Sequence, residues 1–130
     1  MSYDVRFTGE IGIHPPIPAD DVIAAGFHAP GRFGDKDVAV TVIETPIDGV
    51  PGAYRRQVTA IAACMGSYTA YKAVEHVQEI VSRWGEGRTF TGYLQGWGEE
   101  PGDVFRIVIR DGRAVEVQPR IVWPDGSEGV

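Results

Sequence analysis

From its third residue the chain alternates between apolar and polar positions. Tyr3, Val5, Phe7, Gly9, Ile11 and Ile13 are interleaved with Asp4, Arg6, Thr8, Glu10, Gly12 and His14. A period of two buries one face and wets the other, which predicts a β-strand on an antiparallel or mixed sheet. Pro15-Pro16 is expected to end it, because proline supplies no ladder donor. Residues 19–25 follow Pro18 and predict a short helix, with Asp20 and Asp21 at its positive N-terminus. Residues 28–37 read as loop. Val38 to Thr45 is β-branched and apolar on both faces, the pattern of an interior strand. A turn over 46–52 leads to another strand, Gln57 to Ala63.

Tyr71, Val74, Val77, Ile80, Val81 and Trp84 then recur at helical spacing. They predict a helix over 69–84, capped by Thr69 or Ser67. A three-strand meander follows at about 88–97, 103–110 and 113–122. Its last hairpin admits two registers. A two-residue Asp111-Gly112 turn sets Ile107 opposite Glu116. A three-residue loop over 110–112 sets Ile107 opposite Val115 and Arg106 opposite Glu116. The second keeps apolar residues together and pairs opposite charges, so it is the register expected. Phe7-Thr8-Gly9 and Phe90-Thr91-Gly92 echo each other, a match short enough to read first as chance and only otherwise as equivalent sheet positions.

These elements predict the α+β class. The expected architecture is a single, mainly antiparallel curved sheet of about five or six strands, packed on one long helix (about 69–84) with a second short helix (about 19–25). The length of 130 residues suits one domain over 1–130, with 125–130 as a loose C-terminal tail. Seventeen glycines and nine prolines, without a collagen period, punctuate short elements and turns.

The 12 basic and 18 acidic residues leave a net charge of −6. A nucleic-acid binder normally carries a basic patch, and the only adjacent basic pair is Arg55-Arg56, so no nucleic-acid partner is expected. Cys64 is the single cysteine, which excludes an intramolecular disulfide and a cysteine zinc cluster. It reads as a small apolar residue. The first residues show no charged leader before an apolar run, and no run approaches the ~18 residues that span a bilayer. The expectation is a cytoplasmic protein without a membrane partner, in the host cytoplasm if viral.

Candidate chemistry is sparse. Glu99, Glu100 and Asp103 cluster in one turn, and carboxylates can hold a hard cation or exchange protons. Their spacing matches no calcium loop, and a solvated turn is the plainer reading. His14, His28 and His76 fit neither H-E-x-x-H nor a zinc spacing and read as surface residues. Catalysis would need His14 or His76 to meet Glu99. The glycines at 31, 34, 96 and 98 lack the phosphate-loop context, and Ser67 and Ser82 lie outside a nucleophile elbow. No catalytic residue, cofactor or metal is assigned. Trp84 fits the helix stripe and belongs to the core. Trp97 and Trp123 stand near strand ends and are candidates for exposed contacts, together with His14 and the carboxylate cluster.

Four segments carry a resemblance: Thr8 to Pro16, Thr69-Ala70-Tyr71, Gly98 to Arg106, and Pro119 to Pro124. With them the chain resembles a family of small uncharacterised proteins from actinomycetes and their phages. The resemblance implies an actinobacterial or actinophage setting and carries no catalytic residues across. The function expected is a non-catalytic protein-interaction module, with an accessory role in the host cytoplasm if viral. The alternative is a small enzyme or metal-binding domain using Glu99, Glu100 and Asp103. A DNA mimic is a third reading, weakened by the interspersed arginines. A protein partner is expected, and edge strands leave homo-oligomers open.

Overall fold

The computed structural model describes residues 5–31, 35–64, 67–68, 72–100 and 102–129. The elements are β1 (Val5–Pro18), α1 (Ala19–Ala24), β2 (Ala39–Pro46), β3 (Tyr54–Ala62), β4 (Ser67–Tyr68), α2 (Ala73–Trp84), β5 (Thr89–Trp97), β6 (Val104–Arg110) and β7 (Arg113–Val117). The sheet runs β2-β3-β1-β5-β6-β7, with β4 also beside β1, and these strands pair antiparallel among the described residues. β1 is therefore central. β3 and β4 share one of its edges, and β5 takes the other.

This corrects the expected α+β architecture of a sheet packed on one long helix over 69–84. The fold is mainly β, with two short helices of six and 12 residues. Within the described residues, the expected helix begins at Ala73. Ser67 and Tyr68 pair with Arg6 and Val5. Lys72 then stands at the helix N-cap, and its backbone N–H donates to Asp37 Oδ2 at 2.8 Å. Of the two expected caps, Ser67 is in β4, and Thr69 lies outside the described residues.

Both helices cover the same side of the sheet. Phe7, Ile11, Ile13, Val40, Val58, Ile61, Leu94 and Ile107 from the strands meet Ala19 and Val22 of α1 and Ala73, Val77 and Ile80 of α2. Phe27, 2 % exposed, fills the space after α1. Its ring meets His76 and Trp84 edge-on, with centroids 6.5 and 6.2 Å away.

Pro15-Pro16 does not end β1. The strand runs on to Pro18 through a wide irregularity, since Gly12 pairs with Ala60 while Ile17 pairs with Val58. The Arg88 side chain donates to the Pro15 and Pro16 carbonyls at 3.0 and 3.3 Å. The prolines thus sit where ladder donors are dispensable.

The final hairpin takes the other register. Ile107 faces Glu116, Arg106 faces Val117, and Arg110 faces Arg113. Asp111 and Gly112 both have positive φ, 51° and 75°, as a two-residue type I′ turn requires. Hydrophobic pattern could not choose the register. β6 is apolar on both faces, with Phe105, Ile107 and Ile109 on one and Val104 and Val108 on the other. A slip by one residue therefore costs little burial, and the turn decides. β7 stops at Val117, two residues short of Pro119.

Candidate functional site: the open face of the sheet

Residues opposite one another in an antiparallel pair share a face. The pairing of β1, β5, β6 and β7 therefore assigns the side away from the helices. It carries Arg6, Thr8, Glu10 and His14 of β1, and Thr89, Thr91, Tyr93, Gln95 and Trp97 of β5. It continues with Val104, Arg106, Val108 and Arg110 of β6, opposite Val117, Val115 and Arg113 of β7. Over β2 and β3 the same side presents the small buried residues Ala39, Ala60 and Ala62, so the open area lies from β1 to β7.

Two large aromatics stand on this area, Tyr93 at 39 % and Trp97 at 44 % exposure. Trp97 lies between Arg6 and Val104 in the ladder. The Arg106 guanidinium covers the Tyr93 ring, 4.0 Å from its centroid, and Arg106 Nε donates to Gln95 Oε1 at 2.9 Å. Such cation–π stacking fixes the orientation of an arginine that remains exposed. Val104, Val108, Val115 and Val117 are half-buried beside it. At the end of the strands, Gln95, Val104, Phe105, Arg106, Val117, Gln118 and Pro119 border a groove of about 270 Å³. That is smaller than the roughly 300–1,000 Å³ of most small-molecule pockets. It suits one side chain of a larger partner.

Behind this face, on the core side, Gly96 faces Phe105 and Phe7. A Cβ there would stand 2.3 Å from the Phe105 ring, so its bare backbone seats that ring. Phe105 in turn meets Phe7 edge-on, with centroids 5.6 Å apart. Two shallower depressions lie elsewhere. One is between Asp21, Ala24, Ala25, Arg83 and Trp84, and one is inside the loop from Pro46 to Tyr54.

The other sequence candidates are dispersed. His14 is opposite Thr89 and Arg6 is opposite Trp97. At ~3.3 Å per residue, His14 and Trp97 are about 26 Å apart along β5. Glu99, beyond Trp97, is farther still from His14. Glu99 and Glu100 are exposed and Asp103 is half-buried. Their turn is closed by Gly98 N–H donating to the Asp103 carbonyl at 2.8 Å and Asp103 N–H donating to the Glu100 carbonyl at 3.0 Å. Among the described residues, no group of three His, Cys, Asp or Glu side chains could hold a metal ion. Trp123 is half exposed in a small C-terminal hairpin, where Val122 bridges Glu128 and the indole N–H donates to the Gly129 carbonyl.

The remaining titratable cluster clasps the loop before β2 to α2. Asp37 N–H donates to His76 Nδ1 at 2.9 Å, and Lys36 Nζ meets Glu79 Oε1 at 2.7 Å. Arg83 joins the other Glu79 oxygen at 3.1 Å. Burial lowers the His76 pKa below its ordinary 6.5, with Lys36 adding to this and Asp37, Glu79 and Glu75 opposing it. The Lys36 hydrogen bond, aided by Arg83 and opposed by burial, holds the Glu79 carboxyl below its ordinary 4.5. His76 is thus a half-buried acceptor, not the surface residue expected. His28 lies in the same loop, its ring nitrogens 3.1 Å from the Ala29 carbonyl and 3.4 Å from the Lys36 carbonyl. Cys64 is half-buried near Lys36.

Sequence reading missed Gln95, Arg106, Arg110 and Arg113 as site residues. The signal was the alternation in β5, where Phe90, Gly92, Leu94 and Gly96 face inward and Thr91, Tyr93, Gln95 and Trp97 face out. No helix among the described residues is long and apolar enough to cross a membrane. Comparisons with curated proteins and with solved structures each found no match. A scan against protein families matched residues 1–130 to one family, and the chain belongs to it: DUF6205, a family of unknown function.

Proposed function

We propose that this chain is a non-catalytic protein-recognition module whose contact surface is the open face around Tyr93, Gln95, Trp97 and Arg106. The observation that carries this reading is the pair of exposed aromatics beside a stacked arginine and a half-buried valine stripe. Tyr, Trp and Arg dominate the energetic centres of protein interfaces, and they need an apolar surround that excludes water. A sheet face serves this role well because its side chains are held by the ladder, so little order is lost on binding. The setting we attach to it is the cytoplasm of an actinomycete, or of one infected by a phage. That part rests on the segment resemblances alone.

The test is comparative affinity capture from an actinomycete lysate with the wild-type chain, a Tyr93→Ala/Trp97→Ala variant, and a Tyr54→Ala variant on the β2–β3 hairpin. A protein retained by the wild type and by Tyr54→Ala, and lost with the double variant, supports the reading. Equal retention by all three, or by none, contradicts it.

A further inference from the structure

We propose that the partner offers carboxylates: an acidic polypeptide segment laid along β5, β6 and β7, its acids meeting Arg106, Arg110 and Arg113. This rests on the recognition reading above and narrows it to a partner chemistry. The chain as a whole carries −6, yet the strand positions of the open face from β1 to β7 carry Arg6, Arg106, Arg110 and Arg113 against one strand acid, Glu10, with the Glu99, Glu100 and Asp103 turn bordering one end and Asp111 the other. Positive charge is therefore concentrated on the strands of this face, and its bordering acids sit in the turns.

Four of the five described arginines elsewhere are engaged, Arg55 being the exception. Arg83 pairs with Glu79, Arg56 with Glu44 and Arg120 with Glu128, and Arg88 binds three backbone carbonyls. Arg106, Arg110 and Arg113, by contrast, have no carboxylate within ion-pair distance among the described residues. Arg106 uses Nε for Gln95 and its flat face for Tyr93, which leaves the outer edge of the guanidinium for an incoming group. A planar fork held in this way matches a carboxylate with two parallel hydrogen bonds.

Three further observations select the occupant. Val104, Val108, Val115 and Val117 alternate with the arginines on this face, so the matching ligand alternates acids with apolar residues. The groove beside Arg106 accepts one such apolar side chain. A second copy of the chain, face to face, would set arginine against arginine, which opposes association. A nucleic-acid strand would need bare aromatic faces and an unbroken positive track. Here Arg106 already covers Tyr93, and Glu10 lies directly across from Tyr93 in the ladder.

The experiment measures fluorescence anisotropy of three labelled ten-residue probes with the full chain. One alternates Glu and Val, one alternates Gln and Val, and one is oligothymidine. The Glu-Val peptide is expected to bind, to weaken as salt rises, and to lose about tenfold in affinity in an Arg106→Gln/Arg110→Gln/Arg113→Gln variant. An Arg55→Gln/Arg56→Gln variant is expected to bind it as the wild type does. The salt dependence of the wild type tests the charge requirement without any variant. Equal binding of the Gln-Val peptide, salt-independent binding, tighter binding of oligothymidine, or no binding of the Glu-Val peptide each overturns the proposal. The recognition reading is scored separately. A lysate partner retained by the triple arginine variant and lost with Tyr93→Ala/Trp97→Ala would leave that reading standing and remove this one.

Discussion

Gly9 and Gly92 show how much a single residue decides in this sheet. They occupy reciprocal places where β1 meets β5, with Gly9 opposite Leu94 and Gly92 opposite Ile11. Both have positive φ, 88° and 98°. A Cβ on Gly9 would stand 2.6 Å from the Tyr93 carbonyl oxygen, and one on Gly92 would stand 2.6 Å from that of Glu10. Either glycine-to-alanine change therefore combines an unfavourable backbone with a clash against backbone that cannot swing aside. Each is expected to destabilise by about 1–3 kcal/mol in chemical denaturation. The repeated Phe-Thr-Gly triplet marked the correspondence in the sequence, although so short a match read more readily as chance. The clash was not legible, because it depends on how closely two strands approach.

His76 gives a second prediction at this scale. Its Nδ1 accepts a hydrogen bond, so protonation would set a donor against the Asp37 N–H. Its folded pKa lies below its unfolded value of 6.5. The stability from the neutral ring is therefore fully present above about pH 6.5 and lost as pH falls through the folded pKa. Glu79 adds a loss in the same direction, below its ordinary 4.5. Denaturation midpoints are expected to fall between pH 7 and pH 5. The fall should be smaller in His76→Asn, whose amide oxygen accepts the same bond without titrating. A pH profile unchanged by that substitution would show that His76 plays no part.

Among the elements, α2 is read best from sequence and placed least well. Its stripe is real, since Val77, Ile80 and Val81 are buried and Val74 and Trp84 are half-buried. Its polar face conceals a structural residue. Gln78 Oε1 accepts from Ala114 N–H at 2.8 Å, and Gln78 Nε2 donates to the Gly112 carbonyl at 3.3 Å. The helix thereby caps the outer edge of β7, where another strand would otherwise pair. Gln78→Ala is expected to cost about 1 kcal/mol and to speed amide exchange at Ala114, readable by NMR. Unchanged exchange would mean that the edge is not held by this side chain. Helical periodicity marks which residues face the sheet, but nothing local to Gln78 names a strand more than 30 residues away. The hairpin register escaped for a related reason. Both faces of β6 are apolar, so the information lay in the Asp111-Gly112 backbone and not in the side-chain pattern.

The whole molecule separates support from surface. Both helices and the core lie on one side of a central β1, and the other side is left open from β1 to β7. The strands that form this face were largely legible as alternating segments. Its composition was not, because Arg106, Tyr93 and Trp97 are brought together only by the pairing of β5 with β6. The same pairing explains why an acidic chain presents an arginine-rich face. Scattered basic residues look uninformative in order along the sequence, whereas strand alternation gathers them on one side. The carboxylate turn and His14, which sequence reading weighed beside Trp97, sit at the turn and the opposite end of that face.

The central claim is that this open face binds another protein. Its most direct test places a photo-crosslinking residue at Tyr93 and, separately, at exposed Glu75 on α2, then irradiates cells of the native host expressing each variant. The account predicts a discrete protein adduct from position 93 and none of that mass from position 75. The same adduct from both positions, or none from position 93, would contradict it.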